Sequence, residues 1–353
     1  MPANWELNKF IINVSKSNRN YKEDAKAQDI KRALTPLICA LLLASLTATT
    51  NSQQLLEIVL YTNKSSYWLG DPVQVFGYLY YNGNRVSDGV ISLEMDDPTG
   101  YALLFRTLNT GNFPTTETIE ILSVFPSDQY GNQENSFERG SIAYFTSTVK
   151  NKGNTTITIL HTLTVFDYTQ GIMDTTRVEI SDLLPQTIGT FTLPMYIPDN
   201  APMGTAIVYA NTFTNLPRLN GTALSIEKSA TFTIIASTIA TQFQTSQATI
   251  QAGAQFFTNF TVPLYQHYGN YNITATCKYL NETAVAKKRI EIRVPDLNGD
   301  DKVNVLDLIV VAGQIGWTGP PGDVAADVNR DGAVNVLDLI IVAKYLGWTS
   351  PPP

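Results

Sequence analysis

The chain has 353 residues, of which 44% are hydrophobic and 16% charged, and its formal net charge is −7. This length accommodates two or three domains that each bury a core. The acidic balance argues against nucleic acid as a partner. The two cysteines, Cys39 and Cys277, provide no disulfide framework.

An apolar run from Ala33 to about Leu46 follows Lys31 and Arg32 near the N terminus. It is short for a membrane span and suits the hydrophobic region of a signal peptide, while retention as an uncleaved anchor is the alternative. Positive charge on its N-terminal side predicts that the body of the chain is exported. We assign residues 1–54 to this segment, and expect contact with a membrane only through it.

Six Asn-x-Ser/Thr sequons lie beyond this segment, and they support export to the cell surface or the extracellular space. They are headed by Asn63, Asn154, Asn220, Asn259, Asn272 and Asn281.

Residues 55–115 alternate as short β-strands separated by turns, with Asn82-Gly83 as a hairpin signal. Phe76, Tyr78 and Tyr80 share one strand face, which we expect to lie in the core, although exposed aromatic residues could instead stack on sugars. The pattern from Tyr67 through Gly70-Asp71-Pro72-Val73 to Asp97-Pro98-Thr99-Gly100 resembles macroglobulin-type, Ig-like modules of prokaryotic surface proteins.

Residues 116–235 contain six or seven Thr-, Ile- and Val-rich strands, a number and spacing typical of a β-sandwich. The stretch Val149-Lys150-Asn151-Lys152-Gly153-Asn154 resembles CARDB-type, Ig-like adhesion modules. Residues 236–294 give three further strands, which we interpret as a separate short β module because they are too few for a sandwich of their own. The predicted class is therefore mainly β, with tandem Ig-like sandwiches.

No catalytic motif accompanies these strands. His161 and His267 have no acidic or thiol partner at metal-ligand spacing, and no nucleophile elbow, zinc-protease motif, P-loop or dinucleotide fingerprint is present. Cys277 lies among aliphatic and aromatic neighbours and is expected to be a small core residue. We predict a protein that is not an enzyme.

The last segment, residues 295–353, contains one loop-plus-helix unit written twice with a shift of 31 residues, and 15 of the 23 paired positions from Asp296 to Thr318 are identical. Each loop places oxygen ligands at positions 1, 3, 5, 9 and 12 with a backbone carbonyl at position 7, the pattern that wraps a hard cation. The predicted ligands are Asp296, Asn298, Asp300, Lys302, Asn304 and Asp307 in the first loop, and Asp327, Asn329, Asp331, Ala333, Asn335 and Asp338 in the second. Three carboxylates in each loop, with no His or Cys, favour Ca²⁺, and we expect two ions.

The entry to the first loop alternates like a strand, so each unit is half an EF-hand. In ligand spacing, duplication and linker length it resembles the type I dockerin. This resemblance implies a paired all-α calcium module that docks on a cohesin-like protein, with Val305, Leu306, Val336 and Leu337 on the partner-facing surface. It also implies a place in assemblies that act on polysaccharide.

Two further expectations concern the loops and helices of this module. The helices, predicted at Val305–Ile315 and Val336–Leu346, carry apolar spacing typical of mutual packing. Position 6 of each loop requires a positive φ, and it is Gly332 in the second loop but Asp301 in the first, which predicts a weaker first site.

The sequence thus predicts an exported, non-catalytic surface or scaffold-associated protein that ends in a calcium-dependent docking module. Two alternatives remain open at this point. One is a carbohydrate-binding or glycoside-hydrolysing protein that the module only delivers, and the other is a structural adhesin in which calcium serves stability alone.

Overall fold

The computed structural model describes residues 55–111, 117–236 and 254–351. The signal peptide or anchor predicted over residues 1–54, and Cys39 within it, lie outside these residues. Within the described ranges, no helix is long and apolar enough to cross a bilayer.

Two sheets packed face to face form a first β-sandwich around one hydrophobic core. One sheet has the order β1-β3-β15 with β4 beside β3, and the other has the order β2-β17-β16-β5-β6. The strands are β1 (Leu56–Thr62), β2 (Ser66–Trp68), β3 (Pro72–Tyr81), β4 (Asn84–Arg85), β5 (Val90–Asp96), β6 (Ala102–Asn109), β15 (Gln255–Thr261), β16 (Gly269–Tyr279) and β17 (Glu282–Arg293).

The separate short module predicted over residues 236–294 is therefore wrong. β15 pairs with β3, and β16 pairs with β5, so these strands complete the sandwich begun by residues 55–109. Neither segment has enough strands to cover both faces of its own sheet, and pairing between them supplies the missing layer. The second sandwich is thus inserted into the first rather than following it in tandem.

The inserted sandwich consists of a five-stranded sheet in the order β11-β10-β13-β14-β8 and a three-stranded sheet in the order β12-β9-β7. Its strands are β7 (Ile119–Ser127), β8 (Ser136–Glu138), β9 (Ile142–Asn151), β10 (Ile157–Phe166), β11 (Ile172–Leu183), β12 (Ile188–Tyr196), β13 (Gly204–Phe213) and β14 (Lys228–Ile235), and a 3₁₀ turn spans Pro217–Leu219. The chain is mainly β, as its sequence predicted.

β3 shows which of its two apolar faces reaches the core. Val73, Val75 and Leu79 are fully buried, whereas Phe76, Tyr78 and Tyr80 lie on the opposite face and are half-buried. The expectation that these aromatic residues belong to the core is wrong, because successive strand residues point to opposite faces and the smaller aliphatic set fills the space between the sheets.

Two ion-pair groups join the sandwiches. Arg106 on β6 donates from Nε and Nη2 to the two carboxylate oxygens of Glu227, both at 2.8 Å. Arg218, from the 3₁₀ turn of the insertion, donates to Glu94 Oε1 at 2.8 Å and to Asp96 Oδ1 at 2.6 Å. Apolar contact between Phe105 and Phe213 adds to this interface.

Two isolated titratable side chains, Cys277 and His161, lie in the cores of the two sandwiches. Cys277 is fully buried and free, which confirms its expected place in the core. His161 on β10 is also fully buried, and neither ring nitrogen has a hydrogen-bond partner within the described residues. Burial lowers the pKa of His161 to about 4, so the ring is neutral at physiological pH.

The last part of the chain forms α1 (Val305–Ala312) and α2 (Val336–Lys344). Each helix starts where predicted and ends three or two residues earlier than predicted. α1 ends before Gly313 and α2 before Tyr345, and residues of turns follow both helices.

Candidate metal centre and docking surface

The first loop is folded around two carboxylates, of which Asp296 is half-buried and Asp307 fully buried. Asp296 Oδ1 accepts from the backbone N–H of Gly299 at 2.9 Å, and its Oδ2 accepts from that of Asp301 at 2.9 Å. Asp307 is fully buried, and its Oδ1 accepts from the N–H of Leu297 at 2.7 Å. Both side chains therefore draw the loop backbone inward.

The second loop repeats this arrangement. Asp327 Oδ2 accepts from the N–H of Gly332 at 3.1 Å, and buried Asp338 accepts at Oδ1 from the N–H of Asn329 at 3.1 Å. In both loops the Asn at position 3 donates to the Asp at position 5, from Asn298 to Asp300 at 3.1 Å and from Asn329 to Asp331 at 2.9 Å. The hydrogen bond from Asn298 lowers the pKa of Asp300, so this carboxyl stays ionised.

Positions 9 and 12 of both loops also cap the helices. Asn304 Oδ1 accepts from the N–H of Leu306 at 2.8 Å, and Asp307 Oδ2 accepts from the N–H of Asn304 at 2.8 Å. Asn335 and Asp338 form the same capping box at α2. Each box satisfies donors that the first turn leaves without intrahelical partners. Positions 9 and 12 thus have a second role as helix caps. Ligand spacing alone did not reveal this role, but the Asn-x-x-Asp pattern in the sequence indicates it.

Each loop contains two left-handed residues, one of them glycine. In the first loop Gly299 has φ 73° and Asp301 has φ 62°, whereas in the second Arg330 has φ 60° and Gly332 has φ 88°. A non-glycine residue in this region costs about 1 kcal/mol, and each loop has one such residue. The strain argument for a weaker first site therefore disappears.

The two units are tied to each other at the loops. Val303 donates its N–H to the carbonyl of Trp348 at 2.9 Å and accepts from the N–H of Gly347 at 2.9 Å. Val334 makes the matching pair with Trp317 and Gly316, also at 2.9 Å. The repeated Gly-Trp-Thr that ends each unit thus secures the loop of the other unit.

The residues present fit a hard cation. Their side-chain donors are carboxylate and amide oxygens, and the carbonyl oxygens of Lys302 and Ala333 stand at position 7. Within the described ranges no three His, Cys, Asp or Glu side chains gather as a metal-binding group. The carboxylate, amide and carbonyl oxygens of the loops suit Ca²⁺ better than Zn²⁺.

An aliphatic face extends across both helices. Six of its members are between 50% and 62% exposed and occupy matching positions of the two units: Val305, Leu306, Ile309, Val336, Leu337 and Ile340. A shallow groove of about 380 Å³ runs between the helices, lined by Leu308, Ile309, Ala312, Leu339, Ile340 and Ala343. The expectation that most of the helices' aliphatic residues pack inward is wrong, because in each helix only one of them, Val311 or Val342, is fully buried.

The opposite side of this module packs on the first sandwich. Tyr345 donates its hydroxyl hydrogen to the carbonyl oxygen of Leu69 at 2.7 Å, and Trp348 donates from Nε1 to that of Leu264 at 2.9 Å. The Trp348 ring meets Tyr268 edge to face, with centroids 5.6 Å apart. The aliphatic face is therefore the side left open to solvent.

Residues 294–347 match the sequence model of the family described as "Dockerin type I domain". The C-terminal module is a type I dockerin. This match covers 54 of the 353 residues and leaves the two sandwiches unassigned. Calcium binding and docking on cohesins are properties of the dockerin family, and its proteins are typically secreted or held at the cell surface.

Structural likenesses to solved proteins are weak. The C-terminal domain of wzt is 10% identical with a TM-score of 0.29, over 38% of this chain and 85% of that domain. The CARDB domain of a Pyrococcus furiosus protein is 11% identical with a TM-score of 0.23, over 35% of this chain and 94% of that domain. A β-glucosidase from Listeria innocua is 10% identical with a TM-score of 0.24, over 39% of this chain but only 18% of the enzyme.

These TM-scores are too low to assign a function. No protein of curated function matches the chain.

Proposed function

We propose that this protein is an exported, non-catalytic component of a surface or scaffold assembly, and that its dockerin binds two calcium ions and docks on a cohesin-like partner. The ligands would be the six residues of each loop, from Asp296 to Asp307 and from Asp327 to Asp338. The setting that the dockerin family suggests is an assembly acting on polysaccharide. The sandwiches would serve as a spacer that carries the dockerin.

The observation that carries this proposal is the exposed aliphatic face on the two capped helices. Six large aliphatic side chains exposed in one patch are costly in a protein that has no partner for them. Position 9 of each loop caps its helix and position 12 lies in the first turn, so that an ion bound there would fix the start of each helix. Calcium would thus order the same surface that meets the partner.

The contacts of the loop carboxylates indicate which role each would have in binding an ion. Asp307 and Asp338 are buried, accept backbone N–H groups and cap their helices, so that they would hold loop and helix together around an ion. The exposed Asp300 and Asp331 would each add a further negatively charged ligand to their site. Binding of a cation would relieve the repulsion between three carboxylates in each loop.

The test is a calorimetric titration of the EDTA-treated full chain with Ca²⁺, followed by binding to a recombinant type I cohesin with and without EDTA. We expect two ions per chain and cohesin binding that EDTA abolishes. Asp307→Asn and Asp338→Asn should each remove or weaken one site by at least tenfold. A chain that binds no calcium would overturn the proposed metal centre.

The docking surface is tested by the double substitution Ile309→Arg and Ile340→Arg, which places charge on both helices without touching a loop ligand. We expect loss of cohesin binding with two calcium ions still bound. The matched control is Ile142→Arg on β9, because Ile142 is equally exposed at 54% but lies on the inserted sandwich. Unchanged cohesin binding by the double variant would contradict the proposed surface.

A further inference from the structure

The outer face of the sheet β1-β3-β15 carries a row of three aromatic side chains. Tyr61, Phe76 and Phe257 are direct cross-strand partners on three neighbouring strands. The rings of Tyr61 and Phe76 are stacked with centroids 5.6 Å apart, and Tyr61 and Phe257 are 45% and 36% exposed. This row differs from the dockerin's docking face, which is aliphatic, so a different kind of occupant is expected.

Asn259 lies beside this row. It heads the sequon Asn259-Phe260-Thr261 on β15, is exposed, and stands opposite Gln74 in the next cross-strand position. Because strand residues alternate, Phe257, Asn259 and Thr261 share the outer face while Phe256 and Phe260 are buried in the core. The strand thus presents an aromatic ring, the acceptor amide and the sequon hydroxyl in one line.

The amide of Asn259 is available for modification. It makes no side-chain hydrogen bond to any described residue, whereas the nearby sequon residue Asn63 accepts at Oδ1 from Tyr67 Oη at 2.6 Å and from the N–H of Gln74 at 3.0 Å. Asn63 is therefore held in a turn by its own hydrogen bonds. Of the two sequons at this end of the sheet, Asn259 is the one whose side chain extends freely beside the aromatic row.

We propose that Asn259 carries an N-linked glycan whose first sugar rings pack on Phe257 and Phe76. The Nδ2 atom of Asn259 forms a bond to C1 of an oligosaccharide supplied on a lipid diphosphate. The bond from C1 to the phosphate oxygen breaks, the lipid diphosphate leaves with its electron pair, and one amide proton passes to a base of the transferring enzyme. No oxidation or reduction occurs.

The position of β15 explains what such a glycan would do. β15 is the last strand of its sheet, and among the described residues its outer edge is bridged near its end, where the N–H of Thr261 donates to the carbonyl oxygen of Gln170 at 2.8 Å. Exposed edges and exposed apolar patches both promote association between copies of a chain. A bulky, soluble glycan at Asn259 covers the aromatic row and the part of the edge that precedes Thr261.

The first experiment maps glycopeptides by mass spectrometry on the full chain, secreted from a host that N-glycosylates exported proteins. We expect sugar on Asn259 in the wild type and none in Thr261→Val, which removes only the sequon hydroxyl. Asn154 serves as the reference, because its sequon is exposed in a turn and is preceded by no aromatic residue at the equivalent position. An unmodified Asn259, whether or not Asn154 carries sugar, overturns the proposal.

The second experiment tests whether the sugar packs on Phe257, by thermal unfolding of four chains: wild type, Thr261→Val, Phe257→Leu and the double variant. We expect Thr261→Val to lower Tm by roughly 2–4 °C when Phe257 is present and by at most about 1 °C when it is Leu. Equal losses in both backgrounds would overturn the packing of sugar on Phe257. A chain without sugar at Asn259 that binds added soluble polysaccharide through Phe257 would assign the face to an external glycan and also overturn the proposal.

Discussion

Tyr345 in the second dockerin unit donates its hydroxyl hydrogen to the carbonyl oxygen of Leu69, 2.7 Å away and 276 residues earlier in the chain. Tyr345 is 3% exposed, and its ring also packs against Trp68, with centroids 6.2 Å apart. In the first unit the matching position is Gln314, which makes no such contact with the sandwich. The internal symmetry of the dockerin is therefore broken by its attachment to the sandwich.

Tyr345→Phe should weaken this attachment. The substitution keeps the ring but leaves the buried Leu69 carbonyl without its partner, which costs about 1–3 kcal/mol. We expect faster limited proteolysis between residues 293 and 297 and a lower midpoint of urea unfolding. Tyr130→Phe is the control, because Tyr130 is 80% exposed and should change neither measurement. Identical proteolysis of both variants would refute the anchoring role of the hydroxyl.

Arg330→Gly should raise the calcium affinity of the second loop. Arg330 has φ 60°, and glycine at this position relieves about 1 kcal/mol of backbone strain, which corresponds to roughly fivefold in affinity. Because the substitution also removes a positive charge, Arg330→Ala is the matched control that removes the charge but retains the strain. Calorimetry should rank the glycine variant above the alanine variant, and equal affinities would show that strain is not the cause.

Gly332→Ala should do the opposite in the same loop. Its φ is 88°, and an added Cβ would lie 2.8 Å from the carbonyl oxygen of Gly319. At Gly299, with φ 73°, a Cβ would meet no atom within 4 Å. We expect Gly332→Ala to weaken its calcium site more than Gly299→Ala weakens the first site, by at least a further threefold in calorimetry. The reverse order would contradict the loop geometry.

Arg218→Met should loosen the junction between the sandwiches. Arg218 is the cation beside the buried carboxyl groups of Glu94 and Asp96. Above about pH 8, where both groups are ionised, removing it costs roughly 3–5 kcal/mol because two buried charges lose their partner. Lys152→Met is the control, since Lys152 and Glu120 form an exposed pair at 3.8 Å that should contribute under about 1 kcal/mol. Equal urea midpoints for the two variants would disprove the role of Arg218.

Glu94 should make stability fall as the pH rises. Burial raises the pKa of Glu94 from 4.5 to about 7, and the nearby charge of Asp96 adds to this, against the opposing effect of Arg218. The folded chain therefore retains a proton that the unfolded chain releases between these values, so this contribution is full below pH 4.5 and is lost as the pH rises through 7. We therefore expect the free energy of unfolding of Glu94→Gln, relative to that of the wild type, to rise by on the order of 1–2 kcal/mol between about pH 5 and about pH 8.

Urea unfolding at both pH values measures this difference directly. The control is Glu138→Gln, because Glu138 is exposed. A constant difference between Glu94→Gln and the wild type would show that Glu94 does not titrate in this range.

The dockerin was the part most open to prediction, since its information is local. Ligand spacing within twelve residues, the repeated unit and the helix starts all follow from positions close together in the chain. Asp301 and Gly332 at positive φ agree with that pattern. The position-4 residue Arg330 escaped prediction because its conformation depends on the path of the loop rather than on its own preference.

The sequence by itself determined the strands, the two dockerin helices and the residue types around each calcium loop. Alternation and capping act over a few residues, and they left their patterns in the order of the amino acids. Only the tertiary structure decided that residues 254–293 complete the first sandwich, that Phe76 faces outward, and that Tyr345 attaches the dockerin to the sandwich at Leu69. Each of these outcomes depends on which distant segment covers an apolar face, because burial is shared between residues that are far apart in the chain.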